Sequence, residues 1–163
     1  MSAGVIQAGC IQRGEEESAE DAERRPSWSL SNAVISAAIE VHEVLGPGLL
    51  ESIYEAALCH ELSLRAIRVQ RQLEVPVFYK GMSLSQAMRL DLLVDETMVI
   101  ELKSVDAILP IHKAQLLSYL RLSKRQVGLL INFNTPQLKQ GIHRVVNSYN
   151  KYSASSALSS SPR

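Results

Sequence analysis

The sequence predicts an α/β fold in which a central mixed β-sheet is flanked by helices. Three patterns support this prediction: apolar residues recur at helical spacing over residues 31–64, strand-like alternation follows over 70–103, and a third helical segment precedes a near-continuous apolar run at 126–133. Such a run is typical of a strand that is buried on both faces. Because a strand, a helix and a strand in that order are joined by a right-handed crossover, we expect parallel and antiparallel pairs in one sheet.

The first two helices are separated by a sharp stop. The helical pattern of residues 31–45 ends at Gly46-Pro47-Gly48, and a second helix covers residues 49–64. Glu51 lies in the first turn of this second helix, where the positive end of the helix dipole favours a carboxylate. Taken alone, Glu51 is therefore explained as a helix N-terminal acid.

The remaining elements complete the sheet and its second helical layer. Residues 70–79 are strand-like, and Pro76 places them at an edge because proline has no N–H to donate to a neighbouring strand. A helix follows Pro110 and runs to Leu122. Its core-facing residues are Leu116, Leu117 and Leu120, and another face carries His112, Gln115 and Tyr119. Residues 141–149 fit either a last strand or a short helix.

The register of the hairpin at residues 87–103 decides which of its side chains meet. A loop of Asp95, Glu96 and Thr97 places three apolar pairs on one face, namely Val94–Met98, Leu92–Ile100 and Leu90–Leu102. The other face then has Asp91 directly opposite Glu101, with Cβ atoms about 5 Å apart. A two-residue loop would mix polar and apolar residues on both faces. Hydrophobic alternation therefore favours the register that brings the two carboxylates together.

Composition fits one globular domain and restricts its partners. The chain has 163 residues, 46% hydrophobic and 21% charged, which is enough for a buried core. Its 17 basic and 17 acidic side chains argue against a generally basic nucleic-acid coat protein. Residues 28–152 nevertheless hold 13 bases against 11 acids, so the folded part is slightly basic.

The two ends of the chain differ from its middle. We predict a disordered acidic leader at residues 1–28, a folded domain at 29–152 and a disordered Ser-rich tail at 153–163. Cys10 and Cys59 provide no disulfide framework, which indicates a cytoplasmic protein. No apolar run reaches the roughly 18–20 residues of a membrane-spanning helix, and no secretory signal is recognisable, so we expect no membrane partner.

Two opposed acids on a sheet raise each other's pKa, and a stable protein needs a reason to hold them together. A divalent cation is such a reason, because Mg²⁺ takes one or two protein carboxylates and fills its other positions with water and phosphate. Lys103 follows Glu101 by two residues on the same face and can neutralise a developing negative charge. The three residues fit metal-assisted phosphodiester hydrolysis. From spacing alone, a solvated face with an acid–lysine pair remains the alternative.

Four ordered blocks carry a resemblance to a known family. They are Gly48–Tyr54, which fits the pattern GxxExxY; Arg89–Val94 followed by Ile100–Lys103, which fits D…ExK; Gln115–Leu120; and Gly128–Phe133. In this order they resemble the GxxExxY family of the PD-(D/E)XK nuclease superfamily. The similarity extends from about Ala33 to Asn147.

The resemblance implies a restriction-endonuclease-like core with Mg²⁺ at its catalytic face and Mn²⁺ as a substitute ion. By motif match, Asp91 and Glu101 are the metal ligands, assisted by the backbone carbonyl of Leu102. Glu51 completes the acidic cluster directly or through a water molecule. The resemblance thus gives a second explanation for Glu51, besides its position at the N-terminus of a helix.

The same resemblance implies roles for two further residues and an activity. Lys103 is the catalytic lysine, and Gln115 orients water or substrate from the helix after the sheet. The implied activity is endonuclease or exonuclease cleavage of nucleic acid, with DNA as the first expectation and RNA left open. A non-catalytic module that keeps this fold and binds nucleic acid or protein is the alternative. The oligomeric state is left open.

Overall fold

Five strands form one mixed sheet in the order β1-β2-β3-β4-β5, in which only the β3–β4 pair is parallel. A computed structural model describes the backbone of residues 19–148 and the side chains of residues 28–148. Its elements are α1 (Ala19–Leu45), α2 (Glu51–Leu64), β1 (Val69–Tyr79), β2 (Met82–Val94), β3 (Met98–Lys103), α3 (Pro110–Leu122), β4 (Val127–Asn132), a 3-10 turn (Leu138–Gly141) and β5 (Ile142–Val146). The predicted mixed sheet and its edge strand β1 are confirmed.

The sheet separates two apolar layers. One face packs against α1 and α2 through a cluster that includes Leu92, Ile100, Leu102 and Ile131, with Tyr54 and Leu58 from α2. The other face packs against α3 through Leu116 and Leu120, together with residues such as Leu93, Val99 and Leu130. Helices therefore flank the sheet on both sides. No helix within residues 19–148 combines the length and apolar character that a membrane span requires.

The first helix begins earlier than expected. It starts at Ala19, so residues 19–28, assigned from the sequence to a disordered leader, have helical backbone. Ala, Glu and Arg are strong helix formers and dominate this stretch, which accounts for the difference. The predictions for residues 1–18 and 153–163 lie outside the described residues. The ambiguous segment after residue 141 contains a strand, β5.

The β2–β3 hairpin has the predicted loop but loses its predicted register at one end. Val94 pairs with Met98 and Leu92 with Ile100, as the loop of Asp95, Glu96 and Thr97 requires. The ladder ends there, so the expected Leu90–Leu102 pair was wrong. Leu90 instead packs in the cluster that faces α3, whereas Leu102 packs on the α1–α2 side.

A local irregularity in the β1–β2 ladder explains why Leu90 changes face. The ladder pairs Arg71 with Leu92 and Leu73 with Leu90, but it skips the position of Gln72 and Asp91 between them. Gln72 has a positive φ of 50°. Beyond this point both strands present their apolar residues to the opposite layer. The change of layer therefore coincides with the unpaired position and positive φ of Gln72, and a separate register shift lies farther out, between Pro76 and Phe78.

Candidate active site

The candidate site lies where β2 leaves β3. Past the Leu92–Ile100 pair, β3 continues to Lys103 with β4 as its ladder partner. The carboxylate of Asp91 takes the place of a β2 backbone acceptor, since its Oδ2 accepts a hydrogen bond of 2.9 Å from the N–H of Leu102. Asp91 and Glu101 are therefore brought together by the end of a ladder and not by a regular cross-strand pair.

Glu101 is the most deeply enclosed ionisable group of the site. Its side chain is on the α3 side of β3 and the residue is 2% exposed. One carboxylate oxygen, Oε1, accepts a hydrogen bond of 2.7 Å from Lys103 Nζ. The other, Oε2, is buried without a hydrogen-bond partner among residues 28–148. Burial, and next the charge of Asp91, raise the pKa of Glu101 to about 7, although Lys103 acts against this.

The pKa values of Lys103 and Asp91 are shifted by burial and by the charged groups around them. Burial tends to lower the pKa of the Lys103 ammonium, but the hydrogen bond that it donates to Glu101 and the surrounding carboxylates outweigh burial, and that pKa is raised. Burial also raises the pKa of Asp91, while the Leu102 N–H and Lys103 oppose the rise. The surrounding carboxylates therefore favour the charged form of Lys103.

Glu51 reaches the same group of charges from the N-terminus of α2. Burial raises the pKa of Glu51, the charge of Lys103 lowers it, and the charges of Asp91 and Glu55 raise it further. The Glu51 carboxylate therefore lies within electrostatic range of Lys103, Asp91 and Glu55. It does not line the cleft that contains Asp91 and Glu101.

The loop before α2 is fixed by the tyrosine of the GxxExxY pattern. The Tyr54 hydroxyl donates a hydrogen bond of 2.7 Å to the carbonyl of Gly46 and accepts one of 3.0 Å from the N–H of Leu49. Gly48 has a φ of 92°, which only glycine adopts without strain. Ser104 Oγ donates to the Leu49 carbonyl at 2.7 Å, so the end of β3 is tied to the start of α2. Glycine and tyrosine thus hold the turn that presents Glu51.

A cleft of about 430 Å³ contains most of the predicted site. It is lined by Asp91, Glu101, Lys103 and Gln115, together with Ala87, Met88, Arg89, Tyr119 and Leu122. Gln115 Nε2 donates a hydrogen bond of 2.8 Å to the Tyr119 hydroxyl, one turn along α3. A larger groove of about 1030 Å³ lies near the β2–β3 loop and contains none of the predicted site residues.

Sequence reasoning missed Glu55. This residue is 7% exposed, and its two oxygens accept hydrogen bonds from Arg71 Nε at 2.9 Å and Gln72 Nε2 at 2.6 Å. Its charge contributes to the raised pKa of Glu51 and of Asp91. The signal was its spacing: Glu55 follows Glu51 by four residues and so shares a helix face with it.

The donor set suits a hard divalent cation. Asp91 and Glu101 offer carboxylate oxygens, the Leu102 carbonyl follows Glu101 in the chain, and Glu101 Oε2 is a buried acceptor without a donor among residues 28–148. Within residues 28–148, no three or more His, Cys, Asp or Glu side chains are close enough to hold a metal by themselves. Mg²⁺ needs only one or two protein carboxylates, so the two acids and the carbonyl are a sufficient protein share.

Comparison with known proteins identifies the family. Residues 29–145 match a model of the PD-(D/E)XK nuclease superfamily. A solved structure titled "Crystal structure of SSO0001" superposes with a TM-score of 0.47 and 21% identity, over 83% of this chain and 70% of that chain. No curated protein matches the sequence. The family match covers every element from the second half of α1 to β5, and the chain therefore belongs to the PD-(D/E)XK nuclease superfamily.

Proposed function

We propose that the chain is a Mg²⁺-dependent nuclease of the GxxExxY type that hydrolyses phosphodiester bonds in DNA, with RNA as a further substrate class. The observation that carries the proposal is Glu101, a buried carboxylate with one oxygen that lacks a donor. A soluble fold seldom retains such a group unless it has a function, because burying an unpaired acceptor costs about 1–3 kcal/mol. A cation held by Glu101 and Asp91 would satisfy that oxygen.

The residues of the cleft would have different roles in the reaction. Asp91, Glu101 and the Leu102 carbonyl would hold Mg²⁺, and Glu51 would contact the ion directly or through a water molecule. The bound ion would lower the pKa of a water molecule and offset the charge of the phosphate. Lys103, protonated and held by Glu101, would stabilise negative charge that develops on the phosphoryl oxygens.

Gln115 supports the same reaction from α3. Its amide nitrogen is engaged by the Tyr119 hydroxyl, which fixes the side chain and leaves its carbonyl oxygen as an acceptor. Gln115 would therefore orient an attacking water molecule or a substrate hydroxyl.

Substitution of the two acids tests the proposal. We expect Asp91→Ala and Glu101→Ala to abolish cleavage supported by Mg²⁺ or Mn²⁺ while circular dichroism stays unchanged. Asp91→Asn is a stricter variant, because its amide oxygen can still accept the Leu102 N–H while the charge is lost. Glu96→Ala, at the exposed loop of the same hairpin, is the matched control. Cleavage that survives all three site substitutions would contradict the assignment.

A second function is favoured by the Lys103–Glu101 ion pair. At 2.7 Å the pair neutralises the lysine charge and engages one of its three donors without any substrate, as expected of a module that binds nucleic acid or protein but does not cleave. A screen with single-stranded, double-stranded and branched DNA and with RNA separates the two functions. Measurable Mg²⁺ binding with no cleavage of any substrate would favour the binding module over the nuclease.

A further inference from the structure

The outer part of the β1–β2 hairpin extends one wall of the cleft away from the acids. Ala87, Met88 and Arg89 of β2 line the cleft beside Asp91. From there the strand runs back to the turn at Lys80-Gly81, and the apolar residues of the hairpin beyond Gln72 pack in the cluster that faces α3. A ligand that lies along this hairpin would therefore enter the cleft. We name residues 75–90 the hairpin arm.

The end of the hairpin arm exposes large apolar side chains. Phe78 is 62% exposed, Tyr79 is 59% exposed and Met82 is 61% exposed. Consecutive residues of a strand face opposite sides, so the rings of Phe78 and Tyr79 are presented on both faces of the arm. Lys80 Nζ lies 5.5 Å from the centroid of the Tyr79 ring, a cation–π contact that keeps a positive charge beside the aromatic pair.

The charge of the hairpin arm identifies its partner. From Val75 to Leu90 the sequence contains no Asp or Glu, and its charged residues are Lys80 at the exposed end and Arg89 at the inner end, where Arg89 lies opposite Glu74 of β1. Exposed rings beside a lysine, with no acid within residues 75–90, suit single-stranded nucleic acid: bases stack on the rings and phosphates meet the cation. An exposed apolar patch without these cations would fit a protein partner better.

We propose that the hairpin arm binds unpaired nucleotides of the substrate, with a base stacked on Phe78 and phosphates near Lys80 and Arg89, and so directs a single-stranded segment into the cleft. The proposal rests on the nuclease function above and adds a substrate class to it. Base faces are covered by stacking within a duplex, so the rings gain contact only with unpaired bases. The arm therefore predicts a preference for single strands, overhangs or frayed ends.

Binding can be measured without cleavage. We would use full-length Glu101→Gln protein without added metal, and follow fluorescence anisotropy with a labelled oligo(dT) and a labelled duplex. Phe78→Ala should weaken oligo(dT) binding about tenfold, the loss of one base stack, and leave duplex binding within about twofold. Phe78→Trp should keep the affinity. Leu64→Ala, a truncation of an exposed side chain at the end of α2, is the control and should change neither.

Salt dependence and oligomeric state give two further readouts. Lys80→Gln should reduce the slope of log affinity for oligo(dT) against log salt by about 0.7, the value for one phosphate contact on a single strand. The proposal is wrong if Phe78→Ala leaves oligo(dT) binding unchanged or weakens both probes equally. It is also wrong if the substitution changes only the sedimentation coefficient, since the arm would then join two copies of the chain.

The proposals for the arm and for the nuclease can fail separately. Metal-dependent cleavage by the unaltered protein, without any selective effect of Phe78→Ala, would refute the arm and leave the nuclease intact. Selective loss of oligo(dT) binding in a protein that cleaves nothing would support the arm and refute the nuclease.

Discussion

Glu55 and Glu101 are both buried glutamates near Asp91, but their carboxylates differ in the hydrogen bonds that they accept. Glu55 has a hydrogen-bond donor for each oxygen, Arg71 for one and Gln72 for the other. Glu101 has Lys103 for one oxygen and, within residues 28–148, no donor for the other, and its pKa is raised to about 7. The comparison indicates that Glu55 supports the structure and that Glu101 is kept ready for a ligand.

Glu55 supports the structure at one particular position of β1. Its bond to Gln72 meets β1 at the position where the ladder with β2 skips Asp91. Glu55 therefore braces the irregularity that directs Asp91 towards Leu102, and it does so from the same helix that presents Glu51. We therefore propose that the two glutamates are parts of one arrangement, in which Glu55 holds the backbone in place and Glu101 binds the cation.

Neutralising each glutamate should give opposite results. Glu101→Gln should lower cleavage by about 10³-fold or more, because a metal ligand is lost, while metal-free stability rises by about 1 kcal/mol as the buried charge is removed. Glu55→Gln should lower stability by about 1–3 kcal/mol through its weakened bond to Arg71, with cleavage reduced less than about tenfold. Urea unfolding and single-turnover cleavage measure both. Equal changes in the two variants would contradict the distinction.

The pH dependence of stability should follow Glu101. Its pKa is about 7 in the folded protein and 4.5 ordinarily, so between those values the folded state binds more protons than the unfolded state. The free energy of unfolding should therefore fall by about 1–3 kcal/mol as the pH rises from about 4.5 to 7, and then level off. Urea titrations without metal test this. Glu101→Gln should flatten the profile, and an unchanged profile in that variant would assign the effect elsewhere.

Removing the Tyr54 hydroxyl should loosen the turn that presents Glu51. Tyr54→Phe loses one bond to the Gly46 carbonyl and one from the Leu49 N–H but keeps the ring, which stacks on Phe133 with centroids 4.4 Å apart. We expect a loss of about 1–2 kcal/mol in stability and a smaller effect on cleavage than substitution of Glu101. Thermal unfolding and cleavage assays give both values. A variant as inactive as Glu101→Gln would mean that the hydroxyl takes part in the reaction.

The smallest effects are expected at the other end of the β2–β3 hairpin. Asp95 and Glu96 are also acids close together, but both are exposed and lie beside Arg68. Glu96→Ala should change stability by less than about 0.5 kcal/mol and leave cleavage unchanged, because exposed ion pairs contribute little. Loss of metal binding in this variant would show that the acids of the loop, and not those of the cleft, hold the ion.

The sequence predicts the loop of the β2–β3 hairpin better than it predicts the path of β2. Alternation from Leu92 to Ile100 sets the loop, and the loop brings Asp91 near Glu101. The same alternation places Leu90 on the wrong face, because it assumes a regular ladder. Gln72 has a positive φ without being Gly or Asn, so no turn residue marks the irregularity. Glu55 escaped attention because its partners, Arg71 and Gln72, come from another element and meet it only in the folded chain.

A crystal structure with Mn²⁺, located by its anomalous signal, would show whether Asp91 and Glu101 hold a divalent cation. We predict one ion bound by Asp91, by the Leu102 carbonyl and by the Glu101 oxygen that now has no donor, with water in the remaining positions. Glu55 should keep its bonds to Arg71 and Gln72. An ion elsewhere, or no ion while that Glu101 oxygen is bonded to a protein group, would contradict this prediction.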